Sequence, residues 1–260
     1  MSQKLENAKS LYMEGIRDGN AREAVTKYTG DRYTQHSAGV RDGVEGFVEF
    51  FEPFLARNPV RDIQVVRAIE DGQYVFVHAF QSLNHGEAKW VTMDMFDTDS
   101  NHKIIEHWDV ICEYVVETVS GHGMINGPSE VSDVDSTESN QALVREFLVE
   151  VLRNGSLEKI GDYISMESYT QHSPRVADGI EGTVAFIKAQ AEQGSAIRYD
   201  EIFKVIGQGN FVVALSKVSM GAKRMAVFDV FRLANGRIVE HWDTIEEIAP
   251  VEEWVNSGKF

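Results

Sequence analysis

An imidazole two residues away from a carboxylate occurs twice in this chain, at His107 and Asp109 and again at His241 and Asp243. In an extended strand alternate side chains share a face. Each His-x-Asp pair therefore points one way, while Glu106 and Trp108, or Glu240 and Trp242, point the other. Such a pair can divide acid and base work where its surroundings push the two proton affinities apart. The chemistry that fits is proton abstraction α to a carbonyl by Asp109 or Asp243, with a His or a protonated Asp hydrogen-bonded to the developing enolate oxygen. A surface ion pair or a buried hydrogen-bond network fits the same spacing.

A third ionisable group joins each pair if the preceding hairpin has the right register. With Ala234-Asn235-Gly236 as a three-residue loop, Leu233 pairs with Arg237, so Asp229 falls opposite His241 with Asp243 on the diagonal. In the first copy a four-residue loop, Asp99 to His102, pairs Thr98 with Lys103 and sets Asp94 opposite His107. A two-residue Asn-Gly turn shifts the register by one and separates Asp229 from the pair.

The duplication extends well beyond these residues. Tyr33-Thr34-Gln35-His36-Ser37 recurs as Tyr169-Thr170-Gln171-His172-Ser173, with Gln35 against Gln171 giving a displacement of 136 residues. Asp42-Gly43-Val44-Glu45-Gly46 returns as Asp178-Gly179-Ile180-Glu181-Gly182 at the same displacement. A period this long is a whole domain. We therefore expect a first domain at 1–119, a second at 138–260, and between them a Gly-, Ser- and Asp-rich linker, 120–137. As a flexible coil that linker spans roughly 24 Å.

The elements that must position the pairs follow from periodicity. Leu5, Ala8, Tyr12 and Ile16 lie at helical spacing, as do Ala24, Val25 and Tyr28. Asp42 with Glu45, and Asp178 with Glu181, have the spacing of a capping box opening a third helix. The period then changes to two through Ile63–Ile69, Tyr74–Phe80, Lys89–Phe96 and Lys103–Cys112. Helices followed by a run of hairpins is an α+β order, and a curved sheet closed by helices encloses a cone.

Composition bounds the partners. The chain is 43% hydrophobic and 25% charged, and 41 Asp and Glu against 25 Lys and Arg give a formal net charge of −16. We expect no nucleic-acid partner. A lone cysteine, Cys112, excludes an internal disulfide. No apolar run has signal-peptide or membrane-span length, so the expectation is a cytoplasmic protein without membrane association. No Cys or His spacing suits zinc, and we expect neither metal nor cofactor.

The motifs quoted above, together with Phe228-Asp229-Val230-Phe231-Arg232-Leu233 and Asn235-Gly236-Arg237-Ile238-Val239-Glu240-His241-Trp242-Asp243, resemble the SnoaL-like polyketide cyclases of the nuclear transport factor 2-like superfamily. The resemblance covers nearly all of both halves and implies two tandem cone-shaped α+β barrels with no cofactor. It also implies an acid-base Asp that promotes intramolecular aldol closure. Ketosteroid isomerase shares this fold, so the reaction stays open. The resemblance adds His36 and His172 as candidate catalytic residues and Tyr33, Gln35, Tyr169 and Gln171 as candidate ligand-binding residues. Ser37-Ala38 stands where Ser173-Pro174 follows the family pattern, and Asp97 stands where Arg232 does.

Three functions compete: a cofactor-free enzyme acting on a small hydrophobic carbonyl compound, a non-catalytic binder of a small hydrophobic ligand, and an assembly module. The partly apolar strand faces carrying Trp108 and Trp242, together with a tether that gives an effective concentration near the millimolar range, lead us to expect an intrachain pseudo-dimer, with further homo-oligomerisation open.

Overall fold

A computed structural model describes residues 2–260. It contains two compact units: one runs to Glu113 and is completed by Ala249–Phe260, and the other is Tyr114–Ile248. This differs from the sequence-based division. Residues 120–137 are part of the second unit, because Gly123, Asn126 and Ser132 are hydrogen-bonded into it.

In unit 1, α1 (Gln3–Ser10) continues into a π-helical stretch (Leu11–Arg17) and is followed by α2 (Ala21–Tyr28), β1 (Thr29–Gln35) and α3 (Gly43–Arg57). The four long strands follow as β2 (Arg61–Asp71), β3 (Tyr74–Leu83), β4 (Ala88–Thr98) and β5 (Ile104–Glu113). The sheet order is β1-β5-β4-β3-β2, with β1 parallel to β5 and the other pairs antiparallel. The expected α+β cone is thus a mixed sheet covered by helices. Leu5, Ala8, Leu11, Ile16 and Val25 from the helices pack with Ile63, Val75, Val77 and Ile104 from the sheet. Such burial is worth about 1.5–3 kcal/mol per large side chain, and it holds helices too short to persist alone.

Unit 2 repeats the plan. α4 (Thr137–Phe147) and its π-helical continuation (Leu148–Arg153) precede a 3-10 stretch (Leu157–Asp162), β6 (Thr170–Gln171) and α5 (Gly179–Glu192). Next come β7 (Ile197–Gln208), β8 (Phe211–Met220), β9 (Lys223–Ala234) and β10 (Arg237–Glu247), in the order β6-β10-β9-β8-β7. Its core joins Val144, Leu148 and Val151 to Val212, Ala214 and Ile238.

The Asp-Gly-x-Glu-Gly motif does something other than form a capping box. Asp42 Oδ1 accepts from the Gln35 backbone N–H at 2.8 Å, and Asp178 Oδ1 accepts from that of Gln171 at 2.8 Å. Glu45 pairs with Arg22 instead. The motif therefore fastens the edge strand to the following helix, which explains why its spacing from Tyr-x-Gln-His is kept. Gly43 and Gly179 take left-handed φ values of +80° and +78°, and a Cβ on Gly46 or Gly182 would strike the carbonyl oxygen of Arg41 or Ala177.

The hairpin registers also differ from expectation. Asn235 and Gly236 form a two-residue turn with both φ values positive, and Ala234 pairs with Arg237. A bulge between Ile238 and Glu240 then shifts the register once more, so Asp229 lies opposite Asp243 and His241 opposite Phe231. The bulge cancels the change of face that the turn alone imposes. In unit 1 an irregularity between Asp97 and Thr98 sets Asp94 opposite Asp109 and Phe96 opposite His107.

Candidate active site

The central feature of each unit is a pair of aspartates directly opposite each other on two central strands. Like charges so placed repel, and burial strengthens the repulsion. Asp94, Asp109 and Asp229 are buried and Asp243 is partly buried.

In unit 1, His107 Nε2 lies 2.8 Å from Asp94 Oδ1, and His107 Nδ1 lies 2.9 Å from Gln35 Oε1. The second contact exists because β1 runs parallel to β5 with Gln35 in register with His107. Gln35 in turn donates to the Tyr33 hydroxyl at 2.9 Å. Tyr12, from the π-helical stretch, donates to Asp94 Oδ2 and lies 2.9 Å from Thr92 Oγ1. Lys259 Nζ donates to Asp109 Oδ1 at 2.9 Å.

Unit 2 has the same frame with different fittings. His241 Nε2 is 3.0 Å from Asp229 Oδ1, its Nδ1 is 3.0 Å from Gln171 Oε1, and Gln171 donates to Tyr169 at 3.1 Å. The tyrosine on Asp229 is Tyr199, from β7, at 3.0 Å. Asp243 accepts from Ser173 Oγ at 2.9 Å.

The proton affinities divide accordingly. Burial raises the Asp94 carboxyl above its ordinary range, against the hydrogen bond and charge of His107 and with the help of Asp109. Burial also acts to raise Asp109, but the charges of Lys259 and His107 and hydrogen bonds from Lys259 and Ser37 bring it below the ordinary range. In unit 2, burial and the charge of Asp229 leave Asp243 raised despite His241 and Ser173. Burial opposes charge on His241, yet its hydrogen bond and attraction to Asp229 hold its pKa above the ordinary value. Burial, then nearby carboxylates, raise Tyr12, Tyr33, Tyr169 and Tyr199, so all four are neutral donors.

Both constellations open onto cavities. That of unit 1 has a volume of about 270 Å³, with Gln35, Asp94, His107 and Asp109 at its polar part and Phe47, Phe50, Phe51, Phe54 and Trp90 among its walls. That of unit 2 is about 80 Å³ and is lined by Tyr169, Gln171, Asp229, His241 and Asp243, with Phe147, Phe186 and Tyr199 beside them.

His36 and His172 are not brought to these cavities. His36 stacks on Trp108 with ring centroids 4.9 Å apart and pairs with Glu106 at 2.9 Å. His172 stacks on Trp242 at 4.6 Å and pairs with Glu240 at 2.8 Å. Adjacent strand residues face opposite ways, so Gln35 and Gln171 point inward and the histidines that follow them point to the Trp face. The sequence reading passed over Tyr12, Tyr199 and Lys259, which come from elements remote from the motifs. Among the described residues, no group of three or more His, Cys, Asp or Glu is placed to hold a metal ion, and no helix is long and apolar enough to cross a membrane.

Fold and site together define an α+β cone, a five-stranded mixed sheet covered by helices, present twice. The family described as the SnoaL-like domain matches residues 144–241, so the chain carries a SnoaL-like domain, and the matching strand order of its two sheets agrees with a tandem duplication. Similar solved structures include a provisionally assigned ketosteroid isomerase from Kribbella flavida DSM 17836, at 14% identity over 44% of this chain and 83% of that one, with a TM-score of 0.38. IdmH from Streptomyces antibioticus, provisionally a polyketide cyclase, is 17% identical over 42% of this chain and 92% of its own, with a TM-score of 0.37. A provisionally assigned SnoaL-like polyketide cyclase from Jannaschia sp. CCS1 is 17% identical over 46% and 92%, with a TM-score of 0.38. No curated protein sequence matches the chain.

Proposed function

We propose that the chain is a cofactor-independent acid-base enzyme acting on a small hydrophobic carbonyl compound, by isomerisation or aldol-type closure, with unit 1 as the working site. The observation that carries this reading is an aromatic-walled cavity with two facing carboxylates of opposite proton affinity, Asp109 low and Asp94 high. Asp109 is then the base. It takes a proton from the carbon next to the carbonyl, the C–H electrons form the enolate C=C bond, and the carbonyl oxygen gains the charge. Tyr12, or Asp94 carrying its proton, donates a hydrogen bond to that oxygen, and His107 and Gln35 hold Asp94 in place. Return of a proton from Asp109 to a different carbon completes an isomerisation, and attack of the enolate on a second carbonyl completes a ring closure.

A volume of about 270 Å³ lies near the lower bound of ligand sites, whereas about 80 Å³ falls below it. Unit 2 on this reading is chiefly a structural partner. Pairing of the two units within one chain and a cytoplasmic setting belong to the same proposal and rest on sequence.

The test is deuterium incorporation. The protein in D₂O is incubated with a panel of small aryl and alicyclic ketones, and α-proton exchange is followed by NMR. Exchange that exceeds the buffer rate and is lost in Asp109→Asn supports the reading. Binding without exchange turns the assignment to a non-catalytic ligand-binding protein.

A further inference from the structure

The two units differ at one point that neither motif contains. In unit 2, His172 Nδ1 lies 2.7 Å from the carbonyl oxygen of Gly123, and in unit 1, His36 Nδ1 lies 2.7 Å from that of Gly258. These equal contacts fix an equivalence between two segments, one after β5 and one after β10, each of which packs on the His-Trp face of the unit it belongs to. The backbone N–H of Val119 donates to Pro174 O, and that of Val255 donates to Ala38 O, both at 3.0 Å. The residue after the anchored glycine is buried in both cases. It is Met124 in unit 2 and Lys259 in unit 1.

We propose that Lys259 is the positioning residue of the unit 1 site: the segment 249–260 carries its ammonium to Asp109 Oδ1 and fixes that group as a carboxylate. The geometry is specific. The Lys259 side chain is 3% exposed and that of Asp109 7%, so neither charge is solvated without the other. The approach is built by side chains. Asn256 Nδ2 donates to Ser37 O at 2.7 Å and to Val40 O at 2.8 Å, and Asn256 Oδ1 accepts from Gly258 N at 2.8 Å. Gly258 has φ +96°, and a Cβ there would fall 2.2 Å from the Trp254 ring, so this turn is closed to other residues. The segment thus grips the 37–40 loop, whose Ser37 also bonds Asp109, and places one cation on a carboxylate that lines the cavity.

The groups facing Asp109 are Lys259, His107 on its own strand, Asp94 on β4, Tyr33 on β1 and Tyr12 on the helical stretch. Lys259 and His107 favour the anion. Asp94 and burial oppose it. Removal of Lys259 therefore leaves Asp109 in the position of Asp243, which faces His241, Asp229, Ser173, Tyr169 and Tyr199 with Arg175 as a further attraction and whose proton affinity is raised.

The consequence for turnover rests on the proton-abstraction reading, but the charge relation does not, and the experiment separates them. The full chain labelled with ¹³C at the aspartate carboxyls is titrated by NMR, with Asp109→Asn and Asp243→Asn supplying the assignments. We expect Lys259→Met to raise the Asp109 midpoint by about one pH unit or more, a tenfold change in proton affinity. Lys259→Arg should retain the low midpoint, and the Asp243 signal should not move. Should Lys259→Met fail to fold, Met124→Lys is the converse arm and should lower the Asp243 midpoint. An Asp109 midpoint that stays in place in folded Lys259→Met, or an Asp243 midpoint indifferent to Met124→Lys, overturns the proposal. If the midpoints move as expected while ketone exchange is absent in the wild-type protein, the enzyme reading fails and the role of Lys259 in fixing the charge of Asp109 stands.

Discussion

Unit 1 and unit 2 share a frame and diverge in the groups fitted to it. Each has a Gln on an edge strand, a His held between that Gln and an Asp, and a second Asp opposite the first. Yet the tyrosine that bonds the inner Asp is Tyr12 from a helix in one and Tyr199 from a strand in the other. The outer Asp accepts from a serine in both, and in unit 1 it meets a lysine as well. The frame therefore fixes where charge sits, and its surroundings decide which proton affinity each carboxyl takes.

The largest expected difference between the units is in rate. We expect Asp109→Asn to lower ketone α-proton exchange by ~10²–10⁴-fold, because the amide keeps the shape and removes the base. Asp243→Asn should change it less than about tenfold, since the cavity of about 80 Å³ beside that carboxyl is below the size of ligand sites. Equal losses would erase the distinction. An unchanged rate in the double variant would remove both carboxylates from consideration as the base.

Binding should discriminate next. With the aromatic residues labelled, a saturating small ketone should shift the signals of Phe47 and Phe51 and leave Phe186 in place, as the larger cavity requires. A preference of about tenfold, or 1.4 kcal/mol, would suffice to make the occupancy visibly unequal. Equal shifts in both units contradict it.

A backbone comparison is smaller again. Gly258→Ala should cost about 1–2 kcal/mol locally from the left-handed φ alone, with more from the Trp254 clash, and should reduce amide protection in 249–260. Gly123→Ala meets only the Asn126 side chain, at 3.2 Å, and should stay within about 0.5 kcal/mol in thermal melts.

The smallest contrast is in pH dependence. Asp243 and His241 both have raised folded pKa values, so each contributes stability that is complete below its unfolded pKa and is lost as pH rises through the folded one. Asp109 is lowered, so its contribution is present above the unfolded pKa and is lost as pH falls through the folded one, while the raised Asp94 acts the other way. Amide exchange corrected for its intrinsic pH dependence should therefore show protection of β9 and β10 declining from acid to neutral pH more than that of β4 and β5. A steeper decline in unit 1 would contradict these assignments.

The duplication, the helices and the four long strands of each half were legible because they rest on local periodicity and repeated words. β1 and β6 were not. Thr29–Gln35 is polar and β6 is two residues long, and both are strands only because β10 or β5 lies alongside. The shared face of Asp94, His107 and Asp109 was foreseen, but the partner within it was wrong, since the turn moved each register by one and a bulge that no local signal marks moved it by one more. His36 and His172 were placed with the cavity by motif. Strand alternation from Gln35 and Gln171 puts them on the opposite face, a signal that was present in the sequence. Tyr12, Tyr199 and Lys259 reach the site only through tertiary packing, so nothing in their own neighbourhoods announces them.

The discontinuity of unit 1 bears on how the protein is made. Its contact between Asp109 and Lys259 spans 150 residues, and the intervening chain contains all of unit 2. On a ribosome adding about 5–20 residues per second, the sheet of unit 1 emerges roughly 7–30 s before the residues that complete it. Until then the face carrying His36 and Trp108 and the carboxylate of Asp109 await their covering segment. A nascent chain released early therefore holds the first sheet without its lysine, and the ion pair forms only after the second copy has been synthesised.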